Sequence, residues 1–134
     1  MKTMQNSYQE ILLKKENQDK IQIIFIGVGL EGEMQRLCQL SKTLKIHNKI
    51  INTGYLEGDS RQIIKQLNLL CVLTKDFEGF GLTIGEAMTV GTPVLVTKVG
   101  AIPEFVTDKT GSLIFPESPY QVCEVLDEFV KDPV

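Results

Sequence analysis

Two carboxylates, Glu78 and Glu86, bracket the run Gly79-Phe80-Gly81-Leu82-Thr83-Ile84-Gly85. Carboxylates accept hydrogen bonds from polyol hydroxyls, and a suitably spaced pair can also act as general acid and base at a sugar. Gly79 and Gly81 carry no Cβ, so backbone there can approach a ligand closely. Amides at the start of a following helix point toward an anion, and the helix dipole adds to the attraction. Acceptors for hydroxyls beside donors for phosphate suit a nucleotide sugar. Taken alone, the pair reads first as a solvated loop acid and a helix-start acid, because spacing does not set the distance between them.

A second glycine-bearing turn, Gly27-x-Gly29-x-x-Gly32, follows an apolar strand pattern and opens a helix, as a dinucleotide fingerprint does. That fingerprint also requires an acid about 20 residues onward to hold a ribose. The corresponding stretch reads Ile50-Ile51-Asn52-Thr53, with no acid, which speaks against NAD. Two readings of the turn remain, a tight strand-to-helix connection and a turn that also lines a donor pocket. His47 is the single histidine, so neither a zinc site nor a histidine-dependent triad can be assembled.

The elements that must position these residues alternate. A helix is expected to end near Lys14–Asn17, followed by a strand at 21–26 whose continuous β-branched run is of the kind buried on both faces. Met34, Leu37, Cys38, Ser41 and Leu44 mark one face of a helix. A short strand at 49–53 stops at Gly54, and Asp59 or Ser60 can cap a helix carrying Ile63, Ile64 and Leu67. Strand 69–73, the acid-bracketed loop, helix 83–90 and strand 93–97 follow, with Gly91 at a helix C-terminus and Pro93 preventing its continuation. A short helical segment after Gly100 leads to a strand at 112–115. Ser118-Pro119 then starts a last helix with Val122, Val125, Leu126 and Phe129 inward. This alternation predicts an α/β, Rossmann-like domain with a parallel, doubly wound sheet, and ligands bind beyond the carboxyl ends of such strands.

The 134 residues are 43% hydrophobic and 23% charged, in the range of a globular domain with its own core. A net charge of −3 implies no general attraction to nucleic acid or anionic membrane. No apolar run reaches the length of a membrane span, and the polar first residues do not resemble a secretory signal. Cys38, Cys71 and Cys123 are odd in number and set among apolar neighbours, which predicts reduced core residues in a cytoplasmic protein.

Beyond these patterns, Glu78-Gly79-Phe80-Gly81-Leu82 through Glu86-Ala87-Met88, then Gly91-Thr92-Pro93-Val94, resembles the E-x7-E signature of the family-4 (group 1) retaining glycosyltransferases. Gly27-Val28-Gly29-Leu30-Glu31 resembles that family's G-D-G-P-E turn, and Asn48 to Gly54 its D-x-V-x-F-x-G strand. Val99-Gly100-Ala101-Ile102-Pro103-Glu104 resembles V-G-G-I-P-E, and Thr110 to Pro116 its T-G-x-L-V-x-P. The landmarks occur in family order from about residue 21 to the end.

The resemblance implies a GT-B architecture, two Rossmann-like domains with the active site in the cleft between them. Residues 1–134 would be the C-terminal, donor-binding domain, without its first strand and without the N-terminal acceptor domain, which would be supplied in cis or in trans. Glu78, the catalytic position, would face the transferred sugar, and Glu86 would accept hydrogen bonds from the donor's ribose. Gly79, Phe80, Gly81 and Leu82 would contact sugar and diphosphate, Gly29 would line the donor pocket, and Tyr55 and Leu56 would flank the base. The implied activity is retaining hexosyl transfer from a UDP- or GDP-linked donor, in the family's commonest setting of polysaccharide or glycolipid assembly. No cofactor and no metal are required if amides and basic side chains neutralise the diphosphate. No nucleic-acid partner is implied, and membrane contact would be peripheral, through a parent protein. The chain alone would have little activity, and a non-catalytic nucleotide-sugar binding module or a remnant that pairs with a separate N-terminal half is the alternative.

The chain departs from the family pattern in several places. Val28 replaces an Asp, Gly85 a Leu, Ala101 the second Gly, and Thr74-Lys75 a Pro-Ser. The family's phosphate-gripping Arg and Lys belong to a loop before residues 1–20, and Lys14 and Lys15 lie on the wrong side of the first helix to replace them. Lys75, beside the acid-bracketed loop, is either a substitute phosphate contact or a solvated lysine.

Overall fold

The computed structural model describes residues 20–76 and 81–132. The helix expected before Lys14–Asn17, Lys14 and Lys15 themselves, and Glu78, Gly79 and Phe80 lie outside the described residues. The chain divides into two units, Met1–Gly58 and Asp59–Val134.

The first unit is a β-α-β arrangement. Strand β1 (Ile23–Phe25) runs parallel to β2 (Ile50–Asn52), with Ile23 opposite Ile50 and Phe25 opposite Asn52. Between them are helix α1 (Glu31–Thr43) and a 3-10 turn at His47–Lys49. Glu31 and Glu33 in the first turn of α1 complement its positive end, although no side chain caps it. Ser41 is buried and its hydroxyl donates to the Cys38 carbonyl at 2.7 Å, a bond available one turn back within the helix. Strand β1 is shorter than expected and is not buried on both faces. Ile23 and Phe25 are half-buried, whereas Ile24, Ile26 and Ile51 are exposed. A two-stranded pairing keeps the period-two alternation, and the apolar composition of the run does not show which face remains open.

The second unit holds a three-stranded parallel sheet in the order β3-β4-β5, made of Leu70–Val72, Val94–Thr97 and Gly111–Ile114. Its helices are α2 (Arg61–Ile64), α3 (Leu82–Thr89), α4 (Ile102–Phe105) and α5 (Pro119–Lys131). The central strand β4 is buried along its whole length, as its Pro-Val-Leu-Val-Thr run predicts. Alternation then divides the core. Val94 and Val96 pack with Ile64, Leu70, Ile84, Ala87, Ile102 and Val106, while Leu95 packs with Ile114 and Val122. Both faces of this sheet are therefore covered, by α2, α3 and α4 on one side and α5 on the other. Each fully buried aliphatic side chain contributes about 1.5–3 kcal/mol by leaving water.

Local chemistry fixes the ends. Gly91 has φ +77 just past α3, and Thr92 donates its hydroxyl to the Ile64 carbonyl at 2.8 Å, tying α2 to the start of β4. Pro119 stands in the first turn of α5 as expected, but Ser118 makes no side-chain cap bond. Gln121 instead turns back and accepts the Phe115 amide at 2.8 Å, which closes the β5–α5 connection. The cysteines divide differently from expectation. Cys123 is buried on α5, whereas Cys38 on α1 and Cys71 on β3 are exposed. Cys71 alternates with buried Leu70, and Leu40 rather than Cys38 joins Met34 and Leu37 as half-buried on α1. No described helix is long and apolar enough to cross a membrane.

Candidate functional site

Helix α3 opens at Gly81, which has φ +63 and ψ 46. This left-handed conformation strains any residue with a Cβ, and a Cβ here would also come 3.1 Å from Ile84 Cδ1 and 3.3 Å from Phe105 Cζ. The Gly81 carbonyl accepts the amides of Ile84 and Gly85 at 2.9 and 3.0 Å. Gly81 has no side chain with which to cap the first turn, and that turn contains no acid. Among the described residues no side chain caps the amides at this helix start, and such amides suit an anion. Leu82, at the first helical position, is 71% exposed.

Glu86 follows Leu82 by four residues and so lies on the same helix face. Ile84 and Ala87 take the opposite face into the core and are fully buried, which holds the helix in rotation. Glu86 is half-buried. Its Oε2 accepts the Ser60 hydroxyl at 2.8 Å, and its carbonyl accepts the Thr89 hydroxyl at 2.7 Å.

Ser60 comes from the start of α2. Of the two expected caps, Ser60 stands at the N-cap without a side-chain cap bond, whereas Asp59 Oδ1 accepts the Arg61 amide at 3.0 Å. Arg61 returns its guanidinium to the same carboxylate, with Nε 2.9 Å from Oδ1 and Nη2 2.7 Å from Oδ2. These hydrogen bonds hold the Asp59 carboxyl below its ordinary value, and Arg61 is raised by the same bonds, by the charge of Asp59 and, least, by that of Glu86. Ser60 is thereby released from capping, and sequence reasoning missed its contact with Glu86. The only sequence signal was two adjacent cap-forming residues, of which one suffices.

Lys75 is committed elsewhere. Its Nζ lies 3.1 Å from Glu117 Oε1, and that hydrogen bond and charge raise the ammonium above its ordinary value.

In the first unit, the loop after β1 carries Gly29 and the loop after β2 carries Tyr55 and Leu56. The Gly27 amide donates to the Gly54 carbonyl at 3.0 Å, so both loops meet at the carboxyl edge of the β1–β2 pair. A Cβ on Gly29 would sit 3.2 Å from Met34 Sδ. Tyr55 is 73% exposed and Leu56 half-buried. Gly81, Leu82 and Glu86 likewise follow the carboxyl end of β3. Both sets of predicted residues thus stand where an α/β sheet presents a ligand site.

Known proteins are similar to this chain in sequence and in fold. Residues 8–133 match the family model described as glycosyl transferases group 1. Among curated relatives, an uncharacterized glycosyltransferase of Methanocaldococcus jannaschii is 25% identical over 112 residues, covering 82% of this chain and 28% of that protein. A sucrose synthase of Melioribacter roseus is 37% identical over 109 residues, covering 76% of this chain and 14% of that protein. The chain therefore spans well under half the length of these relatives. Among solved structures, Anabaena HepE in complex with UDP and glucose superposes with a TM-score of 0.79 at 27% identity, over 92% of this chain and 35% of that one. The C-terminal domain of a glycosyl transferase group 1 family protein, LpcC of Francisella tularensis, gives 0.76 at 28% identity, over 98% of this chain and 71% of that one. The α/β architecture, the ordered motifs and the match of nearly the whole sequence agree: this chain belongs to the group 1 glycosyl transferases and has the fold of their C-terminal domain.

Proposed function

We propose that the chain is the donor-binding part of a retaining glycosyltransferase that takes a hexose from a UDP- or GDP-linked donor. The observation that carries this reading is Glu86, a half-buried carboxylate one turn into a helix that opens on left-handed Gly81 and exposes amide donors at its start. Carboxylate and amides together match a ribose and a diphosphate on one ligand. Glu86 accepts the ribose hydroxyls, the amides after Gly81 take phosphate oxygens, and Tyr55 and Leu56 flank the base. Glu78 faces the sugar being transferred. No metal is required if amides, the helix dipole and basic side chains together meet the phosphate charge. The UDP complex of HepE, to which this chain is similar, supports a nucleotide donor. We assign the acceptor site to a further domain in cis or in trans, and the transfer to the cytoplasm.

Calorimetry with UDP and GDP in the presence of a chelator tests the reading. One nucleotide should bind saturably, and Glu86→Ala should weaken it by at least about tenfold, the value of a hydrogen bond to a charged group. Absence of heat at millimolar nucleotide, or undiminished binding by Glu86→Ala, rejects it.

A further inference from the structure

We infer that Ser60 is a positioning residue that sets the direction of the Glu86 carboxylate and thereby the preference of this chain for ribose over deoxyribose in its nucleotide. The inference rests on the donor-site reading above and adds to it a residue outside the matched signature. Ser60 is well placed for such a role because hydrogen bonds and a buried neighbour hold the turn it opens. Its carbonyl accepts the amides of Ile63 and Ile64, each at 3.0 Å. The preceding Asp59 holds the Arg61 amide, and Ile64, 3% exposed, anchors the turn in the core. The hydroxyl that projects from this platform reaches Glu86 Oε2 at 2.8 Å.

An ionised carboxylate offers about four lone-pair directions on its two oxygens. Ser60 occupies one of them, so the plane of the carboxylate is constrained while capacity for two further donors remains. The 2′ and 3′ hydroxyls of a ribose are such a pair, and they reward a carboxylate of fixed orientation more than a rotating one. Without the Ser60 hydroxyl, Glu86 regains its terminal torsion, and the Arg61 guanidinium, whose charge already reaches it, becomes a competing attraction. The cost should then fall on ligands that present both hydroxyls and spare those that present one.

The experiment compares UDP with 2′-deoxy-UDP, and GDP with 2′-deoxy-GDP, by calorimetry on the wild-type chain and on Ser60→Ala, Ser60→Thr and Glu86→Gln. Ser60→Ala should lower the ribo-to-deoxyribo affinity ratio roughly three- to tenfold, a fraction of the full effect of a hydrogen bond to a charged group. Ser60→Thr, which keeps the hydroxyl, should retain the ratio, and Ser60→Ala should leave it unchanged in the Glu86→Gln background. A wild-type ratio in Ser60→Ala overturns the inference while leaving the donor site standing. So does an equal loss for both sugars, the mark of a merely structural role. Failure of the wild-type chain to bind either ribonucleotide overturns the donor-site reading and this inference with it.

Discussion

Gly111→Ala is the substitution on which the packing of the β4–β5 pair can be judged most sharply. Gly111 begins β5 directly opposite Val94, and its amide donates to the Thr107 carbonyl at 3.0 Å. A Cβ at this position would overlap Val94 Cγ2 and lie 2.7 Å from the Val94 carbonyl oxygen, with Val106 Cγ1 at 3.3 Å. Val94 is 1% exposed and β-branched, so its side chain has few rotamers and no free volume to enter. The carbonyl cannot retreat without disturbing the pairing of β4 and β5. Overpacking of this kind costs about 1–3 kcal/mol, and the lower entropy of the unfolded alanine chain returns about 0.4–1 kcal/mol. Because the Cβ meets backbone as well as a stiff side chain, the upper end of the overpacking cost applies, and a net loss of about 2 kcal/mol lowers the folding constant roughly thirtyfold. With a urea dependence of about 2 kcal/mol per molar for a chain of this size, the midpoint moves down by about 1 M. Equilibrium urea unfolding followed by circular dichroism measures both midpoint and slope. A midpoint at or above wild type with an unchanged slope would refute the packing argument, because no open space would then be needed at Gly111.

Other consequences carry the opposite sign or a pH signature. Gly85→Ala in α3 should stabilise the chain by about 1 kcal/mol, since a Cβ there meets nothing within 4 Å among the described residues and alanine is the better helix former; the same urea titration checks it, and a loss of stability would mean the space is not open. Asp59 has a carboxyl held below its ordinary value of 3.8 by Arg61. Its contribution to stability is therefore fully present above that value and is lost as the pH falls through the lower folded value. Asp59→Asn should flatten the pH dependence of stability below 3.8 and leave its slope at neutral pH unchanged, as thermal unfolding across an acid series would show.

The elements legible in the sequence are those in which local chemistry and periodicity agree. Strand β4 reads as buried because Val94, Leu95 and Val96 are apolar without interruption between Pro93 and Thr97, and α5 reads as amphipathic from Val122, Val125 and Leu126. Gly81 and Gly91 mark left-handed turns at opposite ends of α3, where a Cβ is least tolerable. By contrast, β1 reads as buried on both faces from composition, yet Ile24 and Ile26 are exposed, since burial depends on the neighbours a strand obtains. The cysteines follow the same rule, because an apolar neighbourhood in sequence does not determine which way a side chain alternates.

The candidate site divides along the same line. From the sequence alone came Glu86, its glycine-bearing loop and the order of family landmarks, because those depend on residue type at fixed spacing along one segment. The tertiary structure decided which residue stands against Glu86. Asp59 and Ser60 are equivalent caps on paper, and the choice between them is made by Arg61, which closes on Asp59 and leaves the Ser60 hydroxyl for a carboxylate 26 residues away. A hydrogen bond between two segments requires that both be held by separate packing, here Ile64 beneath α2 and Ile84 with Ala87 beneath α3. That coincidence of two buried anchors is a property of the folded core, and no local pattern encodes it.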